Sequence, residues 1–305
     1  MSDQIASPMT VDAGEVEAGG SLASDAWKAL RRNPVFWISA ALITLFVVMS
    51  IFPGLFTDKD PAAGNLANSL KPPGDGAIFG HDRQGYDIYA RTVYGARSSI
   101  LVGFLATTST MIVGVAIGVF SGYFGGWIDM LLSRLTDIFF AIPLLLGALL
   151  FLATFPNDSS TPYLLIVLKV VAALAVLGWP SNARLMRSSV LQVKPQEYVQ
   201  AARALGATPW RIIRSHIMPN AFAPVLVVSS INLGVYISVE ATLSFLGIGL
   251  TPPAISWGVS ISEALTAMRA APHALFFPSL FLSMAVLAFI LLGDAVRDAF
   301  DPKSR

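Results

Sequence analysis

The sequence predicts an all-α membrane protein with six transmembrane helices and both termini in the cytoplasm, and three observations carry that prediction. First, 54% of the 305 residues are apolar and 13% are charged, with a mean hydropathy of +0.65, whereas soluble domains run near a quarter charged. Second, six stretches approach the roughly 20 apolar residues needed to cross about 30 Å of hydrocarbon: 35–56, 98–120, 130–155, 162–179, 222–250 and 276–292. Third, with the amino terminus inside, thirteen of the 20 lysines and arginines fall on cytoplasmic segments and six on exterior ones, the bias that orients membrane proteins. The net charge of +1 gives no basic face for nucleic acid. The absence of cysteine excludes disulfide frameworks, thiolate metal sites and cysteine nucleophiles. His81, His216 and His273 are too scattered to suggest a metal cage.

Along the chain, residues 1–33 read as a flexible cytoplasmic tail. Its first twenty residues carry Asp3, Asp12, Glu15 and Glu17 among Gly, Ala and Ser, too little apolar surface to order themselves. Lys28, Arg31 and Arg32 then precede the first span, 34–56, which reads as an uncleaved anchor rather than a signal peptide. Residues 57–96 form an exterior loop in which Asp87–Tyr94 is expected to lie along the membrane surface. A five-helix domain covers 97–295, with a cytoplasmic loop at 181–221, and 296–305 is a second cytoplasmic tail. The fifth stretch, at about 43 Å by helix rise, is too long for one span, so 240–250 is expected to bend away. The segment 251–275, with Pro252, Pro253 and Trp257, reads as an exterior loop or a shallow re-entrant element. Gly114, Gly118 and Gly122 recur every four residues in the second span, a pattern for close helix approach.

The loop 181–221 carries the functional signal. Gln196–Leu205 is rich in helix formers, with Ala201, Ala202 and Ala204, and Gly206 supplies a left-handed stop. Thr208-Pro209 follows as an N-cap with proline in the first helical position, opening a second helix expected to end at Pro219-Asn220. Such a helix–glycine–helix arm, pinned to two spans, suits mechanical transmission from a soluble partner. Small side chains at Ala201 and Ala202 permit close approach, and Arg203, Trp210 and Arg211 offer charge and contact area. The alternative reading is a basic loop held against anionic headgroups of membrane lipid.

Gln200-Ala201-Ala202, three residues, Gly206, nine residues, then His216-Ile217-Met218-Pro219 resembles the EAA loop of ABC-importer permeases, EAA-x3-G-x9-I-x-L-P. Gln200 stands for the motif's Glu, His216 for its Ile and Met218 for its Leu. His81-Asp82 through Gly95-Ala96-Arg97, GYFGGWIDMLLSRLTD at 122–137, EATLSFLGIGLTPPAISW at 240–257 and LLGDAVRDAFDP at 291–302 are similar to peptide and nickel permeases. Over about residues 30–303 the chain resembles the C-type permease subunit of a dipeptide/oligopeptide ABC importer, whose fold is the type I ABC importer transmembrane domain.

The resemblance implies a homologous second permease subunit, two ABC ATPase subunits or domains beneath the membrane, and an extracytoplasmic solute-binding protein above it. It also implies a cytoplasmic-membrane location and peptide cargo, with nickel or another small solute as the alternative. Gln200, Ala201, Ala202, Arg203, Gly206, Thr208, Pro209, Trp210 and Arg211 would then seat in an ATPase cleft, and the departure at Gln200 implies an ionic contact that is either weaker or moved to Arg203. No lysine follows a glycine, so a P-loop is excluded. ATP and Mg belong on the partner subunits, and this chain is expected to hold no cofactor, no metal and no catalytic residue. Ionisable groups inside a membrane are functional candidates, which singles out Glu240 and Lys169, with Asn232 about two turns before Glu240. These three are expected on the translocation path. The competing expectations are that Glu240 caps a helix break or pairs with a neighbouring subunit, and that Lys169 snorkels outward. A self-sufficient secondary transporter, a further alternative, would need coupling-ion sites and usually a visible repeat, and a structural or scaffolding membrane subunit without a path is the last.

Overall fold

The protein's structure, a computed structural model, describes residues 22–300 except Asp75 and Ser159; the acidic stretch 1–21 lies outside the described residues. Its regular elements are helices, with no strand among the described residues. The first, α1 (Leu22–Arg32), is a helix within the segment 1–33 expected as a flexible tail, a correction for that part of it. Trp27 meets the ring of Phe36 edge-on at 6.1 Å, and Leu30 packs against Ala295 and Ala299. That contact supplies apolar burial to the helix. Asn33 then caps α2 (Pro34–Ile51), accepting from Val35 N at 2.9 Å with proline in the first helical position.

Asp87 caps α3 (Ile88–Phe124), accepting from Ala90 N at 3.0 Å. The piece expected to lie along the membrane surface is therefore the first two turns of a 37-residue helix. At about 1.5 Å per residue this rod exceeds the roughly 30 Å of hydrocarbon and projects beyond it. Gly125 and Gly126, at φ +67° and +57°, reverse the chain into α4 (Gly126–Phe140). The axis then bends by 82° at Pro143 into α5 (Leu144–Thr154). The expected continuous span 130–155 is thus a broken one, because proline removes a donor and clashes with the preceding turn.

Next comes α6 (Tyr163–Val193), which tolerates Pro180 inside and runs past the expected end at Trp179. After the short helices α7 (Glu197–Ala204), α8 (Pro209–Ile212) and α9 (Met218–Ala221), α10 (Ala223–Phe245) crosses back. The expected stop at Pro219 is also corrected: a π turn at Ile213–Ile217 absorbs the missing proline donor, and helical structure continues. The bend expected within 240–250 falls after Phe245, with Gly247 at φ +78°. Packed against α10 and α12, α11 (Trp257–Ala264) is capped by Ser256. The last helix, α12 (Pro272–Phe300), extends into the segment expected to be a second tail, held there by Ala295 and Ala299 against Leu30.

Five helices, α2, α3, α6, α10 and α12, are long and apolar enough to cross a membrane, and the bent pair α4–α5 makes a sixth if it counts as one span. The most extensive packing is between α3 and α6, and the glycine repeat explains it. A Cβ added at Gly114 would lie 2.5 Å from Asn182 Cβ, at Gly118 2.5 Å from Ala183 O, and at Gly122 2.9 Å from Val190 Cβ. Backbones this close leave no room for a side chain. The main apolar cluster joins Val102 and Ala106 of α3, Val170 and Leu174 of α6, and Tyr236 and Leu243 of α10.

Candidate functional site

The inward arm is seated by its apolar side chains. Val199 on α7, Ile212 on α8 and Ile213 and Ile217 in the π turn are buried in one cluster with Val119, Met186 and Val190 of α3 and α6. What remains outside is a face of Tyr198, Leu205 and Trp210, the latter two 88% and 66% exposed, beside the exposed Arg203, Arg211 and Arg214. Leu205 and Tyr198 escaped the sequence reading. The signal was available for Leu205, which directly precedes the glycine turn, where the helix has already ended.

Each turn of the arm follows from a local rule. Gly206 adopts φ +78°, and an added Cβ there would meet nothing within 4 Å, so glycine is needed for the backbone conformation alone. Thr208 Oγ1 accepts from Arg211 N at 3.4 Å ahead of Pro209. Gln200 Nε2 donates to Lys194 O at 3.0 Å, and Lys194 Nζ donates to Tyr123 O at 2.7 Å, at the carboxyl end of α3. Ala201 is exposed and Ala202 half-buried, leaving a low surface between the two ends of α7.

Two ion pairs fasten α4 to α6 above the arm. Arg187 grips Asp129 with both Nε and Nη2, at 2.6 and 2.7 Å, and Ser121 and Ser133 donate to the same carboxylate. Arg184 donates to Asp137 at 2.8 Å while its guanidinium lies 4.0 Å from the centre of the Phe140 ring. Arg134, one turn before Asp137 on the same helix, also approaches it, at a longer 3.8 Å. Beyond these pairs, where α4 breaks, a cavity of about 300 Å³ opens between Pro143, Pro180, Ser181, Asn232 and Tyr236. Asn232 therefore faces a space at the break of two helices.

Glu240 and Lys169 are elsewhere. Glu240 is fully buried, its Oε1 accepting from Ser244 Oγ at 2.8 Å, and Ser244 Oγ in turn accepts from Leu250 N at 2.9 Å. Through Ser244 the carboxylate is thus linked to the turn that follows α10. Lys169 Nζ reaches outward to Pro156 O at 2.8 Å and Asn157 Oδ1 at 3.1 Å, pinning the α5–α6 connection. The three residues expected together on the path are not brought together.

On the exterior side, Arg91 joins the two irregular segments. It donates to Glu263 at 2.8 Å, lies 3.9 Å from Asp82 and covers the Tyr86 ring at 4.6 Å. Trp257, fully buried, donates from Nε1 to Thr92 O at 2.9 Å. Burial pushes the carboxyls of Asp82 and Glu263 upward, against the pull of Arg91 on both. The segments around 57–87 and 251–271 form one cap.

Comparison with known proteins adds two matches to family models. The family described as binding-protein-dependent transport system inner membrane component matches residues 114–305, and the N-terminal TM domain of oligopeptide transport permease C matches residues 21–73. The chain is 37% identical to the oligopeptide transport system permease protein OppC of Bacillus subtilis (strain 168), over 98% of this chain and 96% of that protein. It is 37% identical to the dipeptide transport system permease protein DppC of Alkalihalophilus pseudofirmus, over 92% and 90%. A glutathione transport system permease protein, GsiD of Escherichia coli O6:K15:H31, is 34% identical over 91% and 89%. Among solved structures, the inward-facing MetNI methionine ABC transporter matches with a TM-score of 0.53 and 18% identity, over 68% of this chain and 96% of that one, a likeness of fold.

Proposed function

Because the chain belongs to the family of binding-protein-dependent transport system inner membrane components, we propose that it is one of two permease subunits of an ATP-driven importer that carries peptides inward across the cytoplasmic membrane. The relatives named for oligopeptide, dipeptide and glutathione transport support peptide cargo. The observation that carries the mechanism is the arm, an apolar inner face locked to α3 and α6 beneath an outer face of Leu205, Trp210 and arginines. A soluble partner that moves this face moves α6, and the Asp129–Arg187 and Asp137–Arg184 pairs carry that displacement into α4. The break at Pro143 then opens or closes the cavity beside Asn232.

In this cycle two ABC ATPases bind and hydrolyse ATP with Mg, Gln200 through Arg211 seat in one of them, and this chain performs no catalysis. A solute-binding protein lands on the cap joined by Arg91 and delivers cargo between this chain and a homologous second permease. The test is reconstitution in liposomes with the second permease, the ATPases and the binding protein. ATP-dependent uptake of labelled dipeptides or longer peptides, in competition with each other and not with Ni²⁺, is the expected result. Uptake by this chain alone, or uptake of Ni²⁺ in preference to peptide, would overturn the reading.

A further inference from the structure

On the outer half of the bundle a furrow of about 550 Å³ runs between α2 and α3, within the range of ligand-sized pockets, roughly 300–1,000 Å³. Val47 and Ile51 form one wall and Leu101 and Phe104 the other, while Ser50 and Arg97 are its polar members. Ile51 and Phe104 are 56% and 55% exposed, so the furrow is open along its length. At its outer end stands Arg97, exposed and without a hydrogen bond or ion pair to any described residue. Arg91, less than two turns before it on α3, is by contrast committed to Glu263 and Asp82. Arg97 directly precedes the apolar stretch 98–120, at the level where hydrocarbon gives way to headgroups. A cation at that level attracts the phosphate of an anionic headgroup, and the furrow beside it is apolar.

We propose that this furrow binds one anionic phospholipid of the outer leaflet, with its phosphate on Arg97 and an acyl chain along Val47, Ile51, Leu101 and Phe104. The chemistry selects this occupant over transported peptide. A peptide laid in the furrow would leave its amide groups against apolar walls with almost nothing to satisfy them, whereas an acyl chain needs no hydrogen bond. The peptide-facing cavity is also on another side of α10: Asn232 and Tyr236 line it, while Leu233 belongs to the furrow. One charge beside one apolar channel matches a single headgroup with its tail. The site ties the first span to the five that follow, since the same lipid touches α2 and α3.

Native mass spectrometry of the assembled importer, delipidated and then titrated with dioleoylphosphatidylglycerol or dioleoylphosphatidylcholine, tests this. Wild type is expected to retain one phosphatidylglycerol per copy of this chain, in preference to the zwitterionic lipid, and inorganic phosphate is not expected to displace it. Arg97→Gln should weaken phosphatidylglycerol retention about fivefold while Arg97→Lys preserves most of it. Ile51→Trp, which fills the furrow and leaves the cation, should reduce retention of both lipids. Equal retention by wild type, Arg97→Gln and Ile51→Trp would overturn the proposal. Displacement by phosphate alone would overturn it in favour of a simple anion site. Because the chain has no cysteine, Ile51→Cys gives a third measurement: its crosslinking to the second permease in an active importer would show that protein, not lipid, fills the furrow.

Discussion

The carboxamide of Gln200 folds back on the arm, donating to the main-chain oxygen of Lys194 at 3.0 Å, and the ammonium of Lys194 closes on Tyr123 O at 2.7 Å. The position where the EAA pattern carries a glutamate is therefore spent on the arm's own attachment. Gln200→Ala removes one hydrogen bond, about 1 kcal/mol, while Val199 still seats the helix. ATP hydrolysis by the assembled importer is expected to continue, with peptide delivered per ATP falling severalfold. An unchanged ratio would show that this bond plays no part in transmission.

Gly206→Pro should abolish uptake with membrane insertion intact. Proline is fixed near φ −65°, and the native residue sits at +78°. Gly206→Ala meets no atom and carries only the left-handed strain of roughly 1–2 kcal/mol, so it should retain partial uptake. Transport assays on vesicles with matched permease content separate the three proteins.

Gly118→Val tests packing rather than backbone conformation. The new Cβ would fall 2.5 Å from Ala183 O and 2.7 Å from Met186 Cβ, prising α3 from α6. A loss of about 1–3 kcal/mol is the usual cost of overpacking, read as a lowered unfolding temperature in detergent. Stability equal to wild type would contradict the close approach.

Asp129→Asn replaces a two-point grip on Arg187 by at most one neutral contact. The pair is partly solvent-exposed, so its stability effect should be about 1 kcal/mol or less. The larger expected effect is functional: with α4 no longer fastened to α6, uptake should fall more than ATP hydrolysis. Parallel loss of both activities would argue for a purely structural role.

The cap should respond to acid in a defined direction. Burial raises the carboxyl of Glu263 above its ordinary value of 4.5, with Asp82 adding to the rise and Arg91 opposing it. The folded protein therefore holds this proton more tightly than the unfolded chain, and the contribution to stability grows as pH falls through the folded value, complete below about 4.5. Wild type should gain unfolding temperature relative to Glu263→Gln between pH 7 and that point. A gain in the opposite direction would mean that the ion pair with Arg91 outweighs burial.

Features set by neighbours in sequence were legible before the structure. Gly206, Thr208 and Pro209 announce the arm because a left-handed stop and an N-cap are local chemistry. The glycine repeat at 114, 118 and 122 announced a close helix contact without naming α6. The elbow at Pro143 was hidden because hydropathy summed over 130–155 averages across a proline. Glu240 was conspicuous as a charge in an apolar run, and Ser244 lies one turn on along the same helix, but the bond from Leu250 N to Ser244 Oγ depends on the chain turning back after Phe245. The fate of Lys169 likewise hinged on where the α5–α6 connection lies. Arg91 is separated from Glu263 by 172 positions, a pairing no periodicity announces.

One stiff rod, α3, is anchored at its outer end by Arg91 and at its inner end by Lys194. In the proposed cycle a landing above and a closure below would tilt the same lever, with no chain of switching side chains required between them. If the proposed cycle holds, thermodynamic reciprocity applies to that lever: whatever factor an occupied binding protein contributed to closure of the nucleotide-bound ATPases, closure would return to the grip on the binding protein.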